Sequence, residues 1–295
     1  MIKIGQRRQR TLARQVEISG IGFVTGTPVT LRLKPAPAES GLVFRRTDIR
    51  AMEPIPARAE HVTGTARRTT LGRGPNQITL AEHILAALAG LRVDNCLLEI
   101  DGPEPPGLDG SSLAFVNAIM EAGIVLQSAW KSIWTVPEPV VLKNDGATLG
   151  FYPSASETLR ISYLLDYGNG SPIPPQVYTE NLTPEVFHRE LAGCRTFVLE
   201  EEALALQSQG IGRHLTASEL LVFGKCGPIH NRLRKPNEPA RHKMLDLIGD
   251  LALTGLGLAG HLVAYRSGHP LNIEMARTIG RIARMNGPTP FLLAA

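Results

Sequence analysis

The chain has 295 residues, a length that suits one large domain or two of ordinary size. Its hydrophobic fraction, 43%, is typical of globular proteins, and no apolar run is long enough to span a membrane. The formal net charge is +4, but the basic residues are scattered, aromatic residues make up only 5%, and no nucleic-acid-binding motif is present. We therefore expect no transmembrane segment and no nucleic acid partner.

The three cysteines, Cys96, Cys194 and Cys226, are widely spaced and form no Cys-x-x-Cys pair. This pattern argues against a disulfide framework or a thiolate zinc site and is typical of a reducing cytoplasm. The basic segment 1–10 is followed by no apolar core, so it does not resemble a secretory signal. We expect a cytoplasmic monomer, whose positive charge suits an anionic small-molecule ligand or transient proximity to an anionic membrane surface.

In the first half, alternating polar and apolar residues predict strands within residues 11–71. A helix is predicted up to Gly90, with Thr79 and Glu82 as a capping box at its start. The predicted elements after it are a strand at 96–100, a loop rich in glycine and proline at 101–110, and a helix at 111–123.

After a connector at 124–139, the second half repeats this succession and ends with a helix around His242, a strand at 262–265, a loop and a helix at 271–285. Both halves thus end in the same order of elements, which indicates a loose structural duplication. We predict an α+β fold of two similar domains, residues 1–127 and 128–295. If their helical layers face each other, the polar groups of both halves meet in one cleft.

His242 and Asp246 stand four residues apart, so on a helix their side chains share one face. An imidazole nitrogen and a carboxylate oxygen placed in this way are two adjacent ligands for a zinc-type metal. Such a pair also occurs by chance on many solvated helices. His83, in the other half, is the best candidate for the third ligand that catalytic zinc needs.

Glu82 precedes His83, so the two side chains point about 100° apart on a helix, and Glu82 can act as a general base beside the metal. Each residue has a simpler interpretation: Glu82 as a capping acid and His83 as a core histidine. His269, in a loop before a helix, is a candidate acid or oxyanion donor, and otherwise an exposed histidine.

Asp250 lies one turn beyond Asp246, where its carboxylate can orient the imidazole of His269 and raise its pKa. Lys243 is a candidate substrate ligand. Asp109 occupies the loop position of the first half that corresponds to the position of His269 in the second half. The simpler interpretations are solvated helix charges for Asp250 and Lys243, and a turn residue for Asp109.

Several motifs occur in the order of one known family: Ile78–Leu91 with Glu82-His83, Leu108–Ser111, Cys194–Phe197, Arg241–Asp250 and Ser267–His269. Together they resemble UDP-3-O-acyl-N-acetylglucosamine deacetylase, a zinc amidase of lipid A synthesis, over nearly the whole chain. The resemblance implies two similar α+β domains, each a sheet with two helices, packed as a β-α-α-β sandwich with the helices between the sheets.

The resemblance also implies residue roles. It places Zn2+ on His83, His242 and Asp246, with Glu82 as general base. His269 would be the cationic acid or oxyanion partner, held by Asp250, while Thr196 would donate to the oxyanion and Lys243 would line the substrate site. Whether Glu82 or His269 protonates the leaving amine is open.

For the substrate, the resemblance implies that Asp166, Tyr167 and Arg266 contact the nucleotide. Phe197 begins an insert, residues 197–221, that would form an apolar passage for the acyl chain. The chain departs from the family pattern at Val24, where a histidine is common, and at Arg213 and His214 in the insert. The bulky polar side chains of the insert leave the length of the bound acyl chain open.

The leading hypothesis is therefore a zinc-dependent deacetylase whose partner is an acylated UDP-amino-sugar. The alternatives are a zinc amidase acting on a different acylated or nucleotide-linked amino sugar, and a non-catalytic UDP-sugar or lipid-precursor binding protein on the same fold. A base beside a metal argues against the binding protein, which has no need of one.

Overall fold

A computed structural model of the chain describes residues 1–50 and 52–286. The helices are α1 (Glu82–Gly90), α2 (Leu113–Ala122), α3 (Pro184–Val186), α4 (Glu200–Ser208), α5 (Glu238–Ala252) and α6 (His269–Asn286). A 3-10 turn lies at Ala59–His61, and a π-helical turn, Phe187–Leu191, continues α3.

The strands of the first half are β1 (Ile2–Leu12), β2 (Val16–Ile21), β3 (Pro28–Pro35), β4 (Leu42–Arg46), β5 (Ile55–Pro56), β6 (Val62–Gly64), β7 (Thr70–Arg73), β8 (Asn76–Ile78) and β9 (Cys96–Ile100). Those that follow are β10 (Ile124–Thr135), β11 (Val140–Asn144), β12 (Ala147–Tyr152), β13 (Leu159–Leu165), β14 (Gln176–Asn181), β15 (Phe197–Leu199), β16 (Leu221–Gly224), β17 (Gly227–Pro228), β18 (Gly257–Leu258) and β19 (Gly260–Tyr265).

Two sheets repeat one topology. The strand order is β2-β3-β9-β4-β5 in the first sheet and β11-β12-β19-β13-β14 in the second. In each sheet the strand that comes last in the chain, β9 or β19, pairs antiparallel with one neighbour and parallel with the other. Each of these strands follows one helix and precedes another. The predicted α+β fold of two similar halves is confirmed.

Helices α1 and α5 lie between these sheets, with most of their residues buried. In α1, the consecutive residues Ile84 to Leu88 are all fully buried, so this helix has no solvent face. It packs against α5, which also contacts α6 and strand β13. The strands show the complementary pattern: buried and exposed residues alternate along β3 and β13, as expected for sheets with one covered face.

Helix α1 begins differently from the sequence prediction. Its first residue is Glu82, its N-cap is Ala81, and no side chain caps it. Leu80 has a φ of 54°, so the chain turns sharply just before the helix and Thr79 lies outside the first turn. The predicted capping box of Thr79 and Glu82 is therefore wrong, and the carboxylate of Glu82 is available for other contacts.

The segment 124–139, expected to connect the halves, does so as strand β10. This strand pairs antiparallel with β1 and parallel with β18, so the N-terminal strand and a late strand share one sheet. The boundary predicted between residues 127 and 128 falls inside β10 and stays a prediction. Residues 287–295 of the predicted second domain lie outside the described residues.

Candidate active site

Helices α1 and α5 bring the three predicted metal ligands together. One ligand atom each of His83, His242 and Asp246 lies within 4.8 Å of the other two. The Nε2 atoms of His83 and His242 are 3.5 and 3.4 Å from Asp246 Oδ1. The two imidazole rings meet edge to face, with centroids 5.1 Å apart. The spacing of four residues places His242 and Asp246 on one face of α5, as predicted from the sequence.

The protonation of this set suits a cation. His242 Nδ1 lies 3.0 Å from the carbonyl oxygen of Cys194, to which it donates, so its Nε2 carries a free lone pair. Burial lowers the pKa of His242 to about 4, which keeps the imidazole neutral. Burial alone would raise the pKa of Asp246, but His242 and Lys243 hold it well below its ordinary value.

The surroundings of Asp246 Oδ1 show whether a metal ion fits this set of residues. This atom is buried, and it has no hydrogen-bond partner among residues 1–50 and 52–286. A buried carboxylate oxygen without a partner is costly unless something else compensates its charge. Because two imidazole nitrogens converge on the same atom, a cation such as Zn2+ fits the donor set of two imidazoles and one carboxylate.

Glu82 is the predicted general base and directly precedes the predicted ligand His83. Its side chain is buried at the start of α1, and its Oε2 accepts a hydrogen bond from the backbone N–H of Thr69 at 3.0 Å. Burial raises the pKa of Glu82 above its ordinary value, against the lowering effect of His269 and His83. A carboxylate whose pKa is raised by burial is a stronger base than an exposed one and suits proton transfer from water.

His269 faces Glu82 across the site. Its Nε2 is 3.9 Å from Glu82 Oε1, while its Nδ1 is 2.8 Å from Asp250 Oδ2. Burial opposes the charged imidazolium, but the carboxylates of Asp250, Glu82 and Asp246 outweigh it and raise the pKa of His269 to about 9. The structure therefore brings Asp250 and His269 together as the sequence predicted, with the imidazole protonated.

Sequence reasoning missed three residues that support this pair. Asn272 donates to Asp250 Oδ2 at 2.9 Å, and the Thr69 hydroxyl donates to Asp250 Oδ1 at 2.5 Å. At Gly249 an added Cβ would lie 2.1 Å from the carbonyl oxygen of Glu82, so only glycine lets α5 approach α1 this closely. A glycine inside a predicted helix was a usable signal, whereas nothing in the sequence marked Thr69.

Lys243, Thr196 and Phe197 also line the site. Lys243 Nζ donates to Asp246 Oδ2 at 3.0 Å and lies 5.6 Å from the ring of Phe197. Thr196 is fixed by a backbone hydrogen bond to Gly110. The residue before it, Arg195, is held by a buried ion pair with Glu238 at 2.9 Å. This pair also places the Cys194 carbonyl that orients His242.

These side chains open into one cavity of about 660 Å³. One wall is the predicted insert, with β15, α4 and residues up to Leu220; Phe23, Val24, Pro105 and Pro106 also line the cavity. The apolar residues of the insert wall are Val198, Leu204, Leu206, Ile211, Leu215 and Leu220. The cavity therefore has a polar end at the predicted metal ligands of α1 and α5 and an apolar extension beneath the insert.

The unusual polar residues of the insert do not line this extension. Arg213 is exposed and donates to the carbonyl oxygen of Gln207 at 2.9 Å. His214 Nε2 lies 3.0 Å from the carbonyl oxygen of Gly22, and its ring packs against Gly26. Both side chains thus brace the insert from outside.

Among the predicted nucleotide contacts, Tyr167 lines the cavity, while Asp166 and Arg266 pair with each other at 2.7 Å beside it. Asp109 lies apart from the cavity lining. Its carboxylate accepts hydrogen bonds from Ser111 and from Arg234 at 2.7 Å, so in this structure it supports the loop before α2. The predicted roles of these four residues in binding or catalysis stay predictions.

The chain is similar to proteins of one known family. A family model described as UDP-3-O-acyl N-acetylglycosamine deacetylase matches residues 9–281. The chain is 38% identical, over 95% of its length and 91% of the relative's, to UDP-3-O-acyl-N-acetylglucosamine deacetylase of Anaeromyxobacter dehalogenans. It is 40% identical to the protein of that name from Chlamydia abortus, over 93% of this chain and 97% of the relative.

The bifunctional enzyme LpxC/FabZ of Chlorobaculum tepidum is 37% identical over 94% of this chain, which spans 65% of that enzyme's length. In the described residues, no helix is long and apolar enough to cross a membrane. The family match covers both sheets, the cleft between them and each predicted metal ligand. The chain belongs to the UDP-3-O-acyl-N-acetylglucosamine deacetylase family.

Proposed function

We propose that this protein is a zinc-dependent hydrolase that removes the N-acetyl group of UDP-3-O-acyl-N-acetylglucosamine, a step of lipid A synthesis. The products are UDP-3-O-acyl-glucosamine and acetate. The observation that carries the proposal is the buried carboxylate of Glu82, beside three converging donor atoms and facing the imidazole of His269 in one cavity. The names of the similar proteins supply the substrate.

His83, His242 and Asp246 would hold the metal, which fits the unpartnered Asp246 Oδ1. When bound, zinc supplies Lewis acidity toward both the attacking water and the acetyl carbonyl. Asp246 contributes a single negative charge to the set, so the site stays cationic.

Glu82 removes a proton from the attacking water. Its raised pKa makes the carboxylate basic enough for this task, and its hydrogen bond from the Thr69 N–H fixes the orientation of Oε2. The other oxygen, Oε1, faces His269 and therefore the interior of the site. Glu82 is next to the ligand His83 in sequence, so the base and this ligand lie in the same turn of α1.

His269 donates from Nε2 to the oxygen of the acetyl carbonyl as negative charge develops on it. Asp250 holds the Nδ1 proton, so the ring is charged and aimed with Nε2 toward the cavity. Thr196, which also lines the cavity, would donate a second hydrogen bond to the same oxygen. Either Glu82 or His269 then returns a proton to the leaving amine.

The apolar extension under the insert accommodates the acyl chain, and Phe197 and Tyr167 mark the transition to the polar part of the substrate. Lys243 provides a positive charge near the sugar. Burial alone would lower the pKa of Lys243. The carboxylate of Asp246 helps to raise this pKa above its ordinary value, so the amine stays charged. We further propose that Tyr167, Asp166 and Arg266 contact the nucleotide of the substrate.

The test is a deacetylase assay on purified protein with acyl chains of several lengths, together with metal analysis. We expect turnover and about one zinc per chain, with both lost in His83→Ala. His261→Ala is the matched control, because His261 bonds Ser162 on the sheet away from the cavity and should keep metal and activity. Full metal and full activity in His83→Ala would contradict the ligand assignment.

The same assay separates the alternatives. Zinc with turnover only on another acylated amino sugar would favour the second enzymatic hypothesis. Substrate binding without turnover in the zinc-loaded protein would favour a binding protein. The predicted cytoplasmic location and monomeric state accompany the proposal, and sedimentation of the purified chain tests the latter.

A further inference from the structure

We propose that Thr69 is a positioning residue that couples the base Glu82 to the Asp250–His269 pair. This inference rests on the proposed function and deepens it. Thr69 touches all three of these side chains: its N–H donates to Glu82 Oε2 at 3.0 Å, its hydroxyl donates to Asp250 Oδ1 at 2.5 Å, and its Oγ1 is 3.3 Å from His269 Nδ1.

Thr69 lies where its contacts link the two halves of the chain. It is fully buried and immediately precedes β7 in the first half of the chain, while Asp250 and His269 belong to the second half. The hydroxyl–carboxylate bond therefore crosses between the halves at the site itself. A hydrogen bond to an ionised carboxylate in a buried setting is among the stronger ones, so its loss should be felt at Asp250.

The chemistry of Asp250 shows why a third donor matters. Its Oδ2 accepts from both His269 and Asn272, which leaves Oδ1 to Thr69 alone among the described residues. With both oxygens occupied, the carboxylate plane is fixed and His269 is aimed at one place. Without the hydroxyl, Oδ1 would be a buried acceptor without a partner, and the carboxylate could rotate with the imidazole.

Thr69→Val is the decisive variant, because it removes the hydroxyl but keeps the N–H to Glu82 and the branched shape. We expect kcat to fall about tenfold, the size of effect seen when outer hydrogen-bond partners around metal sites are removed. KM and zinc content should change less than twofold, and Thr69→Ser should restore kcat. Thr70→Val is the matched control, since Thr70 bonds Thr79 outside the cavity.

A double-mutant cycle separates positioning from a general loss of structure. If Thr69 acts through Asp250, Thr69→Val should change kcat by less than about twofold in an Asp250→Asn background. Full additivity would contradict the inference, as would wild-type kcat in Thr69→Val. Should Thr69→Val fail to fold, Thr69→Ala is measured in the same cycle, with thermal melting to confirm folding.

One readout needs no turnover, so it distinguishes failure of this inference from failure of the proposed function. In zinc-loaded protein labelled with ¹⁵N-histidine, the Nδ1–H signal of His269 reports on its two neighbours, Asp250 and Thr69. We expect Thr69→Val to shift this signal, and Thr69→Ser and Thr70→Val to leave it in place. An unshifted signal in Thr69→Val would overturn the inference, whereas an inactive wild type would count against the proposed function alone.

Discussion

The cavity has two walls of opposite character. On the chemical side, α1 and α5 meet through fully buried residues, and the polar groups Glu82, His242 and Asp250 are at most 1% exposed. On the insert side, α4 has no buried residue. Among the described residues, two polar side-chain contacts join the insert to the first half: the ion pair of Arg67 with Glu202 at 3.0 Å, and the contact of His214 with the Gly22 carbonyl.

This difference separates two properties of a deacetylase. Chemistry depends on sub-ångström placement, so it is located where packing and buried hydrogen bonds leave no freedom. Selection of an acyl chain depends on cavity shape, which a peripheral segment can change at little cost to the core. We therefore expect substitutions between the helices to change kcat or stability, and substitutions in the insert to change KM.

The largest effect on turnover is expected for Glu82→Gln. The amide keeps the shape of the side chain and the acceptor for the Thr69 N–H but cannot take a proton. We expect kcat to fall by roughly 10²–10⁴, the usual contribution of a general base, with zinc content unchanged. Metal analysis beside the assay separates this result from ligand loss. A rate within a fewfold of wild type would remove Glu82 from the role of base.

The largest effect on stability is expected for Gly249→Ala. The added methyl would lie 2.1 Å from the Glu82 carbonyl oxygen, a backbone atom that cannot turn aside. We expect a loss of about 3 kcal/mol in the free energy of unfolding, the upper range for overpacked cores, measured by urea denaturation. Gly280→Ala in α6 is the control. Its methyl has contacts no closer than 3.8 Å, so this change should be neutral or slightly stabilising.

An intermediate effect is expected in the pH profile. In the proposed mechanism the protonated form of His269 is the donor, so activity should fall as pH rises through its pKa. The carboxylates around it place that value near 9, and a bound cation lowers it, so the basic limb should lie at or below about pH 9. His269→Ala should be slower and lack this limb. The same limb in His269→Ala would assign it to another group.

The predicted metal ligands could be identified from the sequence more readily than the residues that hold the site in place. His242 and Asp246 could be placed because helical periodicity fixes residues four apart on one face, and His83 followed from the need for a third ligand. Thr69 could not be placed. Its contacts join parts of the chain separated by 181 residues, and its neighbours in sequence carry no corresponding pattern.

The start of α1 shows a second limit. Thr79 and Glu82 have the right spacing for a capping box, but both side chains make other hydrogen bonds. Glu82 accepts from the Thr69 N–H, and Thr79 accepts from Arg68. A local motif is worth about 1 kcal/mol, so a buried site can override it. The topological duplication, by contrast, could be predicted because it depends only on the order of elements.

The smallest effect is expected in the insert. Removing these two polar side-chain contacts, in Arg67→Ala with His214→Ala, leaves α4 less restrained over the apolar extension. Because exposed pairs contribute up to about 1 kcal/mol, we expect KM for a long acyl chain to rise no more than about fivefold, with kcat within twofold of wild type. Arg14→Ala, which breaks the exposed pair of Arg14 with Glu121, is the control. A fall in kcat without a change in KM would mean that the insert takes part in the chemistry, and the division between the two walls would fail.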